Sequence, residues 1–218
     1  MPLLLVDLDN TLIDRAGAFD RWARAFVAAH GRDAGEVDWL VMADGDGFTP
    51  RERVAAMIAE RFGLNGQDHG SILAELRAGL VSQLVPDEAV ARALRKARAA
   101  GWTPFVVTNG TVKQQERKLR HTGLDKEVAG WVVSEGVGLR KPDPAIFEVA
   151  AARAGQPLDG AWMIGDSAEA DIAGARAAGL RSVWLHRGRR WPLPTDEPDQ
   201  VADSFSHAVD LVLGGQRQ

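Results

Sequence analysis

The chain contains no cysteine, which excludes a disulfide framework, thiolate metal sites and a cysteine nucleophile and agrees with a cytoplasmic location. It also lacks an apolar run near the ~20 residues needed to cross a bilayer, so no membrane partner is expected. The opening stretch MPLLLVDLDNTLID has no basic segment before it and is cut at once by acidic residues; it reads as a buried strand rather than a signal peptide. Positive charge is not in excess either. A formal net charge of -4 argues against a chain built to coat nucleic acid. The local basic cluster Arg92, Arg95, Lys96 and Arg98 falls at helical spacing among alanines and reads as a solvated helix face.

What is present is the composition of an ordinary globular protein, 45% hydrophobic and 26% charged over 218 residues. That length admits one domain or a core with a smaller companion. Residues 3 to 8 form an apolar run ending in Asp7-Leu8-Asp9, read as a central parallel strand with polar residues emerging at its C-terminal end. Comparable runs follow at Phe105-Val106-Val107, Trp131-Val132-Val133, Trp162-Met163-Ile164 and Ser182-Val183-Trp184-Leu185, separated by helical patterns. Such alternation predicts an α/β fold, a parallel sheet covered by helices on both faces.

Helix boundaries are marked by Asp87 and Gly101, by Thr111 with Gln114 as a capping box closed by Gly123, by Asp143-Pro144, and by Ser167 with Gly179. A short last strand and helix are expected after the Pro-rich loop 191–198, and the tail 214–218 is expected to be disordered. Between Asp14 and about Pro86 no strand pattern occurs, and three helical stretches follow one another at about 18–30, 50–62 and 69–82. The second is opened by Thr49-Pro50-Arg51-Glu52, a capping box with proline in the first helical position. The expected division is an α/β core of residues 1–14 and 86–218 with an all-helical insertion at 15–85. An insertion after the first strand of an open sheet is expected above the strands' C-terminal ends, where it can act as a lid. A helical elaboration with no part in catalysis is the competing account.

Asp7 and Asp9 alternate with Leu8 at a strand end, from which both can reach one polar crevice. Two carboxylates there can hold a hard cation, or divide the work of nucleophile and acid/base; Asp and Asn are equally common turn formers after a strand. Gly165-Asp166-Ser167-Ala168-Glu169-Ala170-Asp171 again follows an apolar strand and opens a helix, with Asp171 about one turn in. With Asp7, these two aspartates form a cluster of like charge that repels unless a divalent cation neutralises it. Magnesium suits an oxygen-only site of that kind; helix capping is the alternative role for Asp166. Thr108-Asn109-Gly110 at a third strand end offers a hydroxyl, an amide and backbone N–H groups suited to phosphate oxygens. Lys141, inside Leu139-Arg140-Lys141-Pro142-Asp143-Pro144, can supply positive charge to the same phosphate, although a lone lysine is usually a solvated surface charge.

Taken in order, DLDNT at 7–11, VTNG at 107–110, Lys141 in RKPDP and GDSAEAD at 165–171 resemble the four motifs of the haloacid dehalogenase superfamily. The resemblance covers nearly the whole chain and points to the phosphatase branch of subfamily I with a helical C1-type cap. It implies a Rossmann-like core with an inserted all-helical cap domain, and a magnesium-dependent phosphatase acting on a small phosphorylated metabolite. It further implies that Asp7 is the nucleophile and that Asp9 protonates the leaving alcohol and then activates water. Thr108, Asn109 and Lys141 bind phosphate by the same resemblance, while Asp7, the Asp9 backbone carbonyl and Asp166 hold magnesium with Asp171 in support. Dehalogenating members of the family lack the second aspartate, so Asp9 favours phosphate chemistry. Asn10 stands where glycine is often found, a substitution that hints at a subgroup without naming a substrate.

A phosphoglucomutase-like phosphotransferase is the alternative within enzymes, and a non-catalytic binding protein of the same fold the alternative outside them. A monomer and a homodimer are equally open. Asp44-Gly45-Asp46-Gly47 starts like a calcium loop, but Ala55 stands where the closing glutamate belongs, so a loop between cap helices is expected. His30, His69, His121, His186 and His207 show no metal-ligand spacing, and the tryptophans read as core. Arg15, Phe19, Arg21 and Arg51 are read either as cap residues facing substrate or as ordinary surface residues.

Overall fold

The computed structural model describes residues 1–64, 69–195 and 197–215. The chain divides into two compact units, one of Met1–Ile13 with Pro86–Gln218 and the other of Asp14–Val85. The first unit opens with β1 (Leu3–Val6). The second is wholly helical among its described residues: α1 (Arg15–Ala29), α2 (Gly35–Asp44), α3 (Arg51–Phe62) and α4 (His69–Ser82). The first unit then resumes with α5 (Glu88–Ala99), β2 (Thr103–Thr108), α6 (Val112–Thr122), β3 (Trp131–Val133), α7 (Ser134–Val137) and α8 (Ala145–Ala154). It closes with β4 (Trp162–Gly165), α9 (Gly174–Ala177), β5 (Arg181–Leu185), β6 (Gln200–Ala202) and α10 (Phe205–Gly214).

The six strands form one sheet in the order β3-β2-β1-β4-β5-β6, with every pairing parallel. Parallel neighbours need crossovers, and the crossover helices cover both faces, so all four residues of β1 are buried. Leu3 and Leu5 join Phe105, Val107, Ile146, Phe147 and Met163 in one core layer, closed by α8 and by Ala175 of α9. On the opposite face α5 packs against α10 and β2, and α10 against β4 and β5, burying Val90, Leu94, Val209 and Val212. Truncating the fully buried Leu5 to alanine costs about 2–5 kcal/mol, because a close-packed layer refills the gap only in part. Val6 lies beside Val106 on one side and Ile164 on the other, so β1, β2 and β4 release their next residues at one edge.

Several sequence expectations are corrected. Gly35–Asp44 is a fourth helix in the second unit, and α1 starts at Arg15, where Asp14 Oδ1 accepts from Gly17 N at 2.9 Å. Neither expected capping box forms. Pro50 rather than Thr49 occupies the cap of α3, with no side-chain bond there, and the Thr111 side chain does not cap α6. The Val112 N–H at the start of α6 donates instead to Glu135 Oε2 at 2.8 Å, a longer carboxylate reaching over from α7. The helix after Ser167 begins as a wider π-type turn at Ala168–Ala173 before becoming α9. Arg15 is not a surface residue: it is 2% exposed and bonded to Asp44. Phe19 is core as well. Asp44 is therefore the carboxylate of a buried ion pair, and Gly45–Gly47 is a short 3-10 turn between helices. Of the tail expected to be disordered, Gly214 ends α10, Gly215 caps it, and residues 216–218 lie outside the described residues, as does Asp196 in the loop 191–198. No helix is long and apolar enough to cross a membrane among the described residues.

Candidate active site

Asp7 follows β1 directly, and its N–H donates to the Ile164 carbonyl of β4 at 2.9 Å, which fixes the start of the turn against the neighbouring strand. Asn10, three residues on, has φ 61, in the left-handed region that asparagine and glycine tolerate best. The backbone thus accounts for an asparagine at this position. Leu12 and Ile13 N–H both return to the Leu8 carbonyl, at 3.0 and 3.1 Å, so the DLDNT segment curls over the end of its own strand.

Beside Asp7 lie Asp166, from the end of β4, and Asp171, from the π-type turn. One carboxylate oxygen from each falls within 4.8 Å of the other two, and all three residues are buried. Lys141 enters the same cluster: its Nζ donates to Asp7 Oδ1 at 2.7 Å and to Asp171 Oδ1 at 2.6 Å. At 3% exposure it is no solvated surface lysine. The other Asp171 oxygen accepts from Ser167 N at 2.9 Å, so this aspartate ties Lys141 to the strand end of β4. Gly165 is what lets it come so close. A Cβ there would stand 2.2 Å from Asp171 Oδ2, a distance no side-chain carbon can occupy.

Two of the three buried carboxylates, Asp7 and Asp171, share the buried ammonium of Lys141, while Asp166 meets the more exposed Arg187 and Arg189. Burial pushes Asp7 up to about 7, against the pull of Lys141 and with added repulsion from Asp171 and Asp9. Asp166 rises to about 6, again through burial first and Asp7 second, although Arg189 and Arg187 draw it back. Asp171 is raised by burial against the opposing pull of Lys141. Burial alone would lower Lys141, but Asp171 and Asp7 outweigh it and hold the ammonium charged. An all-oxygen set of buried carboxylates whose burial outweighs their cationic partners suits a hard divalent cation.

Thr108 ends β2, 1% exposed, and its Oγ1 accepts from Gln115 Nε2 at 2.7 Å. Asn109 uses its side chain as a strut. Nδ2 donates to the Lys141 carbonyl at 2.9 Å and Oδ1 accepts the Lys141 N–H at 3.0 Å, a reciprocal pair joining the β2 end to the lysine loop. That leaves the Asn109 backbone N–H, rather than its side chain, as the group suited to a bound anion. Asp9 stands apart from the three-carboxylate cluster, with Lys118 Nζ on both its oxygens at 2.7 and 2.6 Å.

Four residues at this edge went unread in the sequence. Gln115 and Lys118 lie three residues apart on α6 and are buried with Leu119. A polar pair where helical periodicity calls for apolar residues was the available signal. Arg187 and Arg189, in the loop after β5, each reach Asp166 Oδ2 at 3.0 Å, and loop residues carry no period to flag them. Trp184 Nε1 secures the same residue through its carbonyl at 2.8 Å.

A family model described as haloacid dehalogenase-like hydrolase matches residues 1–179. The phosphoserine phosphatase of Thermus thermophilus is 39% identical over 106 residues, 49% of this chain and 43% of that protein. The chain spans about half the length of the first curated relatives it matches, from 43% to 52%. Among solved structures, the HAD-hydrolase YfnB of Bacillus subtilis, bound to magnesium, superposes with a TM-score of 0.76 at 22% identity, over 97% of this chain and 98% of that one. A 2-haloacid dehalogenase from Pseudomonas syringae pv. Tomato DC3000 gives 0.66 at 26% identity, over 99% of each chain.

Proposed function

We propose, for a chain that belongs to the haloacid dehalogenase-like hydrolase family, that it is a magnesium-dependent phosphatase of small phosphate monoesters working through an aspartyl-phosphate on Asp7. The observation that carries the reading is the cluster of Asp7, Asp166 and Asp171, three buried carboxyls raised by burial, with Lys141 between Asp7 and Asp171. Its oxygen donors fit magnesium. Asp7 and Asp166, with the Asp9 backbone carbonyl, would hold the ion, and Asp171 would support it by fixing Lys141. When bound, the ion supplies charge neutralisation to the transferring phosphoryl group.

The chain's own residues do the rest. Lys141 and the groups at Thr108 and Asn109 hold the phosphoryl oxygens, so that an Asp7 carboxylate oxygen stands in line with the bond to be broken. The Asp7 oxygen bonds to phosphorus as the bond from phosphorus to the ester oxygen breaks, and Asp9 passes its proton to that oxygen. Asp9, now a carboxylate, takes a proton from water as the water oxygen bonds to phosphorus. The bond from phosphorus to Asp7 then breaks, inorganic phosphate leaves, and both aspartates return to their starting states. Asp9 is also the residue that separates this chemistry from carbon–halogen cleavage, since a halide leaves without a proton. The helical unit, residues 14–85, is assigned to substrate selection in this reading.

The test is phosphate release from a panel of small phosphate esters, with and without magnesium, by the native chain and by Asp7→Asn. Magnesium-dependent release that the substitution abolishes supports the reading. Phosphoryl transfer to a sugar without release would favour a mutase, and an inert chain a binding protein.

A further inference from the structure

Asp9 is held by buried polar groups that take no part in the steps proposed for it. Lys118 Nζ lies 2.7 and 2.6 Å from the two Asp9 oxygens, and Gln115 Nε2 lies 2.9 Å from Oδ2. Both donors stand on the inward face of α6, with the Lys118 side chain 5% exposed and Gln115 1% exposed. Gln115 Nε2 also reaches Thr108 Oγ1 at 2.7 Å and the Asn109 carbonyl at 3.2 Å, so one amide links the end of β2 to Asp9. Stability alone does not account for the pair. Burying an ammonium carries a desolvation cost that its partner roughly offsets, and an apolar side chain of similar volume on a buried helix face serves the fold as well or better.

We propose that Lys118 and Gln115 are positioning residues that clamp the Asp9 carboxyl from the α6 side and aim it at the leaving oxygen of the substrate. The proposal rests on the phosphatase reading and deepens it. Lys118 grips both oxygens at once, which fixes the plane of the carboxyl group as a single hydrogen bond does not. Gln115 ties that plane to Thr108, on the strand that holds the phosphoryl group, so acid and phosphate site keep one spacing. The Lys118 contact also suits the carboxylate left behind once the proton has moved to the ester oxygen, the species that next meets water. The Asp9 side chain is 25% exposed, so the carboxyl can still be reached by a substrate.

Leaving-group dependence tests this. An alkyl phosphate needs a proton delivered to its departing oxygen, whereas p-nitrophenyl phosphate departs as a stable phenolate. kcat/KM reports phosphoryl transfer to Asp7 for each ester. For Lys118→Met the alkyl ester is expected to lose about 10- to 100-fold in kcat/KM, a large share of what general acid catalysis supplies, and p-nitrophenyl phosphate less than about threefold. Gln115→Leu is expected to shift the same ratio in the same direction by less, and it serves if Lys118→Met fails to fold. A retained magnesium-induced rise in Tm shows that the metal pocket survives in each variant. Equal losses on both esters, or no loss on either, overturn the clamp. A native chain that turns over neither ester overturns the phosphatase reading itself, and the proposal with it.

Discussion

Each unit of the molecule buries an acidic centre, and the two are built in opposite senses. In the helical unit Asp44, 2% exposed, receives Arg15 in a fork at 2.8 and 2.6 Å and Arg51 as a further partner. Burial pushes its carboxyl up, but the hydrogen bonds and charges of the two arginines outweigh burial and hold it below the usual carboxylate range. At the sheet edge of the other unit, Asp7 and Asp171 share the buried Lys141, Asp166 meets Arg187 and Arg189 of the loop after β5, and all three carboxyls are raised. The same residue type, equally buried, thus serves two ends. A carboxylate whose partners outweigh its burial is a structural fixture, whereas three whose burial outweighs their partners keep an electrostatic demand that a bound cation would meet.

Breaking the two centres should therefore give unlike losses. The largest expected effect is that of Asp7→Asn, which lowers turnover by on the order of 10⁴-fold or more while leaving the fold intact, read as phosphate release beside a circular dichroism melt. Asp44→Ala comes next and is a stability lesion. It strands the buried Arg15 guanidinium and costs about 3–5 kcal/mol in urea unfolding. Gly165→Ala probes the crowding at Asp171. The added methyl has to displace that carboxylate, with a loss of about 1–3 kcal/mol and a parallel fall in turnover.

The smallest effect is the most diagnostic, because the two centres predict opposite slopes with pH. Asp7 and Asp166 are raised, so in metal-free protein their contribution to stability is fully present below pH 3.8 and is lost as pH rises through about 6 and 7. Asp44 is lowered, so its contribution is present above the ordinary carboxylate value and is lost as pH falls through its depressed folded one. Chemical unfolding without metal should show stability declining by about 1–3 kcal/mol between pH 4 and 8, with a shallower decline in Asp7→Asn. Magnesium should raise Tm more at pH 8 than at pH 6, since below about 7 a proton occupies Asp7. A magnesium response independent of pH would mean that Asp7 takes no part in holding the ion.

The sheet was legible because fully buried parallel strands are continuous apolar runs, and Asp7, Thr108 and Asp166 were legible because each interrupts such a run at its end. The helix Gly35–Asp44 was not. Its apolar residues do not keep to one face, Val41 being 41% and Met42 80% exposed, and its cap residue Ala34 makes no side-chain bond. The Thr111 box misled for a related reason, since the Thr111 side chain makes no cap bond and the first N–H of α6, at Val112, is taken by Glu135 from a distant segment. Long-range pairing likewise hid the matching of Arg15 to Asp44, 29 residues on, and of Lys118 to Asp9, 109 residues back. Local pattern carries strand ends and helix starts; which charge meets which is decided by the fold.

The most direct test of the difference between the two centres is to locate the phosphoryl group during turnover. A magnesium-supported reaction quenched in acid and mapped by peptide mass spectrometry should place a phosphoryl adduct on the peptide containing Asp7, absent from Asp7→Asn and from reactions without magnesium. Turnover with no adduct there, or with the adduct on another residue, would contradict the assignment of Asp7 as the nucleophile of this cluster.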